Sequence, residues 1–235
     1  MTKQAVRERV WDALEDAGVA RFPFPPHGRI PNVAGADDAA ERLAAHPAFA
    51  DAETVKCNPD APQRPVRRRA LEAGKTLFVA VPRLREAACF LELDPATIDD
   101  VDDATTISGA DAYGRPRRPA ALPEIDCIVA GSVAVGVDGR RIGKGEGYSD
   151  LEFALLREFG RVGDDTPVAT TVHERQIVDD APAPDAHDVP LDLIATPERV
   201  VETGAGAKPG GIDWAALEAE KRDEIPILGE LDPDN

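Results

Sequence analysis

The sequence predicts an α/β fold, an open and mostly parallel sheet with helices on both faces. Three observations predict it. Segments with helical period alternate with strand-like runs along the chain. Several of those runs are apolar throughout, as strands covered on both faces are. A glycine-rich loop lies between one such run and a helical segment, and α/β sheets bind ligands at the carboxyl ends of their strands.

The elements follow in order. KQAVRERVWDALEDAG reads as an amphipathic helix with Val6, Val10, Ala13, Leu14 and Ala17 on one stripe and Gly18 as its stop. FPFPPHGRIPN can be neither helix nor central strand, because its prolines lack donors. A second helix is expected over Ala36–Ala45, a short strand at Thr54–Cys57, and a loop in NPDAPQRP. Residues 66–73 are expected to be helical with Gly74 as the cap, and TLFVAVP, residues 76–82, to be a buried strand. Residues 90–119, rich in Asp, Thr and Pro and without a clear period, read as a long excursion. The apolar run at 126–137 predicts a buried parallel strand, followed after the loop by a helix over 151–159 with Leu151, Ala154, Leu155 and Phe159 on one face. TPVATTVH and VPLDLIATP supply two more strands. The result is a three-layer, Rossmann-like α/β domain over residues 1–203. Residues 204–235 follow as the linker GAGAKPGG and a peripheral acidic tail, with one short helix near Trp214 to Lys221.

Composition narrows the function classes. The 235 residues carry 44 Asp and Glu against 27 Lys and Arg, a formal charge of −17, which argues against a nucleic-acid surface. Lysine is confined to Lys3, Lys56, Lys75, Lys144, Lys208 and Lys221, and arginine carries most of the positive charge. Abundant carboxylates with little lysine suggest adaptation to high salt, with an acidic, arginine-biased protein of a high-GC mesophile as the alternative. No apolar run spans a bilayer and the amino terminus lacks a signal h-region, so a soluble, cytoplasmic protein is expected. Cys57, Cys89 and Cys127 are too scattered for zinc or a disulfide framework. His27, His46, His173 and His187 lack metal-ligand spacing and are expected to be structural.

The most informative stretch is GRRIGKGEGYSD, Gly139 to Asp150. Gly143, Gly145 and Gly147 alternate, with Arg141 and Lys144 among them and a helix behind. Glycines let backbone N–H groups approach an oxyanion, and a helix amino terminus adds positive potential. The loop is neither a Walker motif nor a dinucleotide fingerprint, and a plain tight turn is the alternative.

Five segments together resemble the 5-formyltetrahydrofolate cyclo-ligase (methenyltetrahydrofolate synthetase) family. They are KQAVR at Lys3 to Arg7, GKTLFVAVPRL, the glycine loop, Gln176 in VHERQIVD, and HDVPLDLIATP. RIGKGEGYSDLE is most similar to the branch of methenyltetrahydrofolate synthetase domain-containing proteins. The resemblance implies Mg²⁺ and ATP as cofactor and co-substrate, and a reduced folate as substrate. It implies phosphoryl transfer to the N5-formyl oxygen, followed by ring closure from N10. By the same resemblance Lys3, Arg7, Arg141, Gly143, Lys144, Gly145, Glu146, Gly147 and Tyr148 hold ATP. Arg141, Lys144 and Tyr148 face the reacting groups, Asp60 and Tyr148 the folate, and Asp150 and Asp192 the metal. The chain departs from the family pattern where Ser149 replaces a second tyrosine, where Glu146 replaces glycine or lysine, and where Asp60 stands for a glutamate. Those departures leave open an ATP-dependent enzyme with another substrate and a non-catalytic nucleotide-binding module. They also leave simpler roles open: solvated charges for Lys3 and Arg7, a helix cap for Asp150, a strand-edge charge for Asp192 and a loop cap for Asp60.

Overall fold

The computed structural model describes residues 1–233. Helix α1 (Lys3–Asp16) leads into a small ribbon, β1 (Ala20–Arg21) with β2 (Asn32–Val33), which brackets the proline-rich segment. Then come α2 (Ala36–Ala45), α3 (Pro47–Ala50), β3 (Thr54–Cys57), α4 (Arg64–Glu72) and β4 (Thr76–Ala80). They are followed by β5 (Phe90–Leu93), α5 (Val101–Ala104), α6 (Ile107–Tyr113), β6 (Arg115–Arg117) and β7 (Cys127–Val129). A second ribbon, β8 (Ala134–Val135) with β9 (Arg141–Ile142), carries the chain into α7 (Tyr148–Glu158). The chain closes through β10 (Val168–Thr171), β11 (Leu193–Ala195), β12 (Val200–Glu202), α8 (Ala219–Glu224) and α9 (Pro226–Leu231).

The main sheet has eight strands in the order β12-β11-β10-β7-β3-β4-β5-β6. Its five inner strands are parallel; β12 and β5 run antiparallel to them at the two sides, and β6 pairs antiparallel with β5 at the edge. From β3 the chain adds β4 on one side, then returns to lay β7, β10 and β11 on the other. The order therefore reverses between β3 and β7, where the carboxyl ends of an open α/β sheet leave a crevice.

Helices cover both faces, and strand alternation shows how. Successive side chains of a strand point to opposite sides. Lys56 reaches Glu152 of α7, whereas its neighbour Cys57 interacts with Arg67 of α4, so α7 and α4 lie on opposite faces. Both layers pack Leu, Val and Phe side chains into one core that includes Val55, Phe78, Leu71, Leu155 and Ile194. A second, smaller core joins Val6, Val10, Trp11 and Leu14 of α1 to Val133, Ala134 and Ile142. That core fixes α1 against the ribbon from which the glycine loop emerges.

Three sequence expectations are corrected. Residues 90–119 are not an unstructured excursion, because β5 and β6 extend the sheet antiparallel and α5 and α6 connect them. The run at 126–137 is not one strand; it leaves the sheet after Val129 and re-forms as β8. The carboxyl-terminal segment is not peripheral, since Ile225, Ile227 and Leu228 are fully buried in the main core. Among the described residues no helix is long and apolar enough to cross a membrane. All three cysteines are free and buried, and burial pushes Cys57 up to about 11 and Cys89 and Cys127 up to about 12. They pack as small apolar groups.

Candidate functional site

A cleft of about 510 Å³ opens at the strand-order reversal. Asn58 and Asp60 after β3, Val81 after β4 and Gly131 after β7 form its floor, and the loop from Arg141 to Ser149 forms a wall.

The loop is shaped for oxyanions. Gly145 and Gly147 have φ of 110° and 71°, values that L side chains rarely adopt. A Cβ at Gly145 would also lie 3.4 Å from Arg7 Cζ. Arg7 is held there by a bond from its Nε to the Gly143 carbonyl at 2.7 Å, and burial lowers its pKa. Among the described residues no group accepts from the amides of residues 145–150, which include the first turn of α7. A run of free N–H groups at a helix amino terminus is a ready anion site. Lys144 lies 2.7 Å from Glu146, so the added carboxylate is offset by the loop's own lysine. Ser149 donates to Asn58 Oδ1 at 3.2 Å, tying the start of α7 to the end of β3. Ser149 thus has a structural use at this junction.

Arg141 is buried and paired. Its Nη2 donates to both oxygens of Asp150 at 2.6 Å and its Nη1 to the Gly131 carbonyl at 3.0 Å. Desolvation opposes the charge, but Asp150 outweighs it and the guanidinium pKa is raised. Asp150 also accepts from the Val189 amide at 3.0 Å. The next residue back, Asp188, pairs with Lys3, as does Asp185 at 2.7 Å. Desolvation works against Lys3, yet these two bonds raise its pKa. Asp185, His187 and Asp188 present ligand atoms within 4.8 Å of one another.

Asp192 is not brought to this group. Its side chain accepts from the Val168 amide at 2.7 Å and meets Lys208 at 2.9 Å. Val168 begins β10 and Leu193 begins β11, so Asp192 sits at the amino ends of the parallel strands, away from the cleft. The carboxylate that the fold does deliver is Asp188.

The other side of the cleft holds acceptors. Arg67 of α4 clamps the turn by donating to the Asn58 carbonyl at 2.6 Å and the Asp60 carbonyl at 3.0 Å. The Asp60 carboxylate is left facing Gly131, where a Cβ would lie 2.9 Å from Asp60 Oδ2 and 3.1 Å from Gln63 Oε1. Gln63 Oε1 is buried without a hydrogen-bond partner. Burial pushes the Asp60 carboxyl above the usual carboxylate range, against the pull of Lys144. Tyr148 packs against the main core at the cleft wall.

Sequence reasoning missed Asp188, Asn58, Gln63 and the buried Lys56–Glu152 pair. Asp188 and Asp192 lie in one stretch, and only the direction of β11 decides which faces the cleft. For Lys56 a signal was available: a lysine inside an apolar strand requires a buried partner.

The profile of the 5-formyltetrahydrofolate cyclo-ligase family matches residues 2–197. The chain belongs to that family. The methenyltetrahydrofolate synthase domain-containing protein of Bos taurus is 44% identical over 239 residues, covering 98% of this chain and 62% of that protein. Its Mus musculus counterpart is 45% identical over the same length, covering 98% of this chain and 63% of that protein. The chain therefore spans about three-fifths of the length of the curated relatives it matches. The solution structure of Aquifex aeolicus 5,10-methenyltetrahydrofolate synthetase aligns with a TM-score of 0.54 at 20% identity, covering 88% of this chain and 96% of that one. That likeness agrees with the cyclo-ligase fold. The family match ends at residue 197, whereas the match to the two mammalian relatives continues through nearly the whole chain.

Proposed function

We infer that this cyclo-ligase family member converts 5-formyltetrahydrofolate to 5,10-methenyltetrahydrofolate with consumption of ATP. The observation that carries the reading is the two-sided cleft. One wall offers the unpartnered amides of residues 145–150 with Lys3, Arg7 and Lys144 nearby, and the other offers the unpaired acceptors Asp60 and Gln63 Oε1. Phosphates match the first, and the N–H groups of a pterin match the second.

The chemistry asks for positioning and charge neutralisation rather than a protein nucleophile. The N5-formyl oxygen takes the γ-phosphoryl group as the bond to ADP breaks. N10 then attacks the formyl carbon, the C–O bond to phosphate breaks, and N10 loses its proton as the methenyl bridge closes. The loop amides and Lys144 stabilise the transferring charge, and Arg141, locked by Asp150, supplies a fixed cation beside the reacting phosphate. Tyr148 bounds the wall between the two ligands. Mg²⁺, when bound, neutralises phosphate charge as a Lewis acid. Hard oxygen donors suit it, and Asp188, grouped with Asp185 and His187, would hold it near the loop, whereas the Asp150 carboxylate is taken by Arg141 and Asp192 lies at the other ends of the strands.

The test is the absorbance of methenyltetrahydrofolate in molar salt. Product formation that requires both ATP and 5-formyltetrahydrofolate is expected. Folded protein that binds Mg-ATP and forms no methenyl product overturns the reading and leaves a nucleotide-binding module or another substrate.

A further inference from the structure

The carboxyl-terminal segment lies beyond the reach of the family profile, which ends at residue 197, yet it packs on the site. It is anchored independently of any ligand. Ile225, Ile227 and Leu228 are buried in the main core, Glu158 accepts from the Ile212 amide at 2.9 Å, and Arg222 stacks 5.2 Å from the Trp214 ring. The match to the two mammalian relatives covers 98% of this chain and so runs through the segment.

Between this segment, α7 and the glycine loop is a second cavity of about 240 Å³. Leu151, Ala154, Ile212 and Leu217 line its apolar side, and its polar side holds Lys221 and His187 with the carboxylates Glu146, Asp150, Asp213 and Glu218. Lys221 Nζ lies 5.7 Å from the centre of the Tyr148 ring and 3.7 Å from the place a Cβ of Gly147 would occupy. It is 2.9 Å from Glu218 Oε2, a pair partly open to solvent. The cavity is smaller than the roughly 300–1,000 Å³ of sites that enclose a whole drug-sized ligand, so it suits one flat ring of a larger molecule.

We propose that the carboxyl-terminal segment completes the nucleotide site, with the purine ring in this second cavity and Lys221 directed at the phosphates over Gly147. The proposal rests on reading the loop as the ATP-phosphate site. Phosphates seated on the amides of residues 145–150 lie at the boundary of both cavities, because Glu146, Gly147 and Asp150 line each. The larger cleft is then free for the folate. The apolar wall takes the ring face, and a lysine beside an anion adds a charge-assisted contact.

Calorimetric titration of the full chain with Mg-ATP and with Mg-tripolyphosphate tests this. Wild type binds ATP more tightly than tripolyphosphate. Ala216→Trp, at an exposed position on the cavity rim, weakens ATP about tenfold and leaves tripolyphosphate within about twofold; Lys221→Gln weakens both by about tenfold. Equal wild-type affinities for ATP and tripolyphosphate overturn the proposal without any variant. Unchanged ATP binding in both variants, with binding abolished by Gly145→Val, also overturns it while the loop reading stands. No binding of either probe by folded wild type overturns both.

Discussion

The fold disfavours a charge on Asp60. Burial raises its pKa in the native chain, so the native state binds that proton more readily than the unfolded chain does. The sign follows from linkage: this contribution is favourable below the unfolded carboxylate value of about 3.9 and is lost as pH rises through the higher native value. Asp60→Asn should therefore raise the melting temperature at pH 7–8 by a few degrees, with the gain fading below about pH 4. The same change should raise KM for the folate at least tenfold, since a pterin N–H loses its carboxylate (about 1.4 kcal/mol or more). A variant no more stable than wild type at neutral pH would contradict the assignment. Gly145 gives a sharper test of the opposite wall. Valine there must adopt φ near 110° and press on Arg7, so Gly145→Val should abolish ATP binding while the protein still melts cooperatively; undiminished affinity would remove the loop from the site. At this scale the sequence was most legible in the glycine loop, where one short stretch carries the positive-φ glycines and the start of α7. It was least legible for Asp60 with Gln63 and Gly131, and for Asp188 with Lys3, because those groups meet only through strand order.

The contact that joins the cleft wall to the sheet is the Lys56–Glu152 pair between β3 and α7. Lys56 is 1% and Glu152 5% exposed, and Asn58 Nδ2 also donates to Glu152 at 3.3 Å. Breaking such a pair strands a buried charge, whereas replacing both partners with apolar groups removes the desolvation cost as well. Glu152→Ala should lose about 3–5 kcal/mol in chemical denaturation, and the double change Lys56→Met with Glu152→Leu should recover most of that loss. A double variant as unstable as the single would show that the pair itself, not the stranded charge, holds α7. Elements divide by how clearly their own residues show a period or an apolar run. The helices α1, α2 and α4 and the strands β3 and β4 were legible because each shows enough of its period or apolar run. β5, β6 and β12 have three or four residues and take their place from the strands they pair with. The apolar run after Asp126 misled because its residues are buried in either environment, in the sheet or in the ribbon under α1. The acidic tail misled because its composition is polar while three apolar side chains, Ile225, Ile227 and Leu228, decide its position.

At the scale of the whole molecule, the reversal of strand order places the cleft, and the charge balance sets the conditions under which it survives. The net charge of −17 is spread over a surface where carboxylates outnumber cations. Asp99, Asp100, Asp102, Asp103 and Asp111 are all exposed around α5 and α6. With phosphates on the glycine loop, as proposed, the nucleotide approaches this negatively charged body, and the field of its carboxylates opposes that encounter. Salt acts on that field. The Debye length falls from about 10 Å at 0.1 M to about 3 Å at 1 M, which screens exposed carboxylates from one another but leaves buried pairs such as Arg141–Asp150 nearly intact. The melting temperature should therefore rise from 0.1 M to molar KCl (salt levels set by the Debye comparison). Over the same range the rate of ATP association should increase, because repulsion between ligand and protein is screened, in contrast to the fall seen for oppositely charged partners. Thermal scans and stopped-flow association at matched pH check the two together. A melting temperature that is flat or falling with salt would return the composition to a plain acidic, arginine-biased protein, with its carboxylates too dispersed to repel one another.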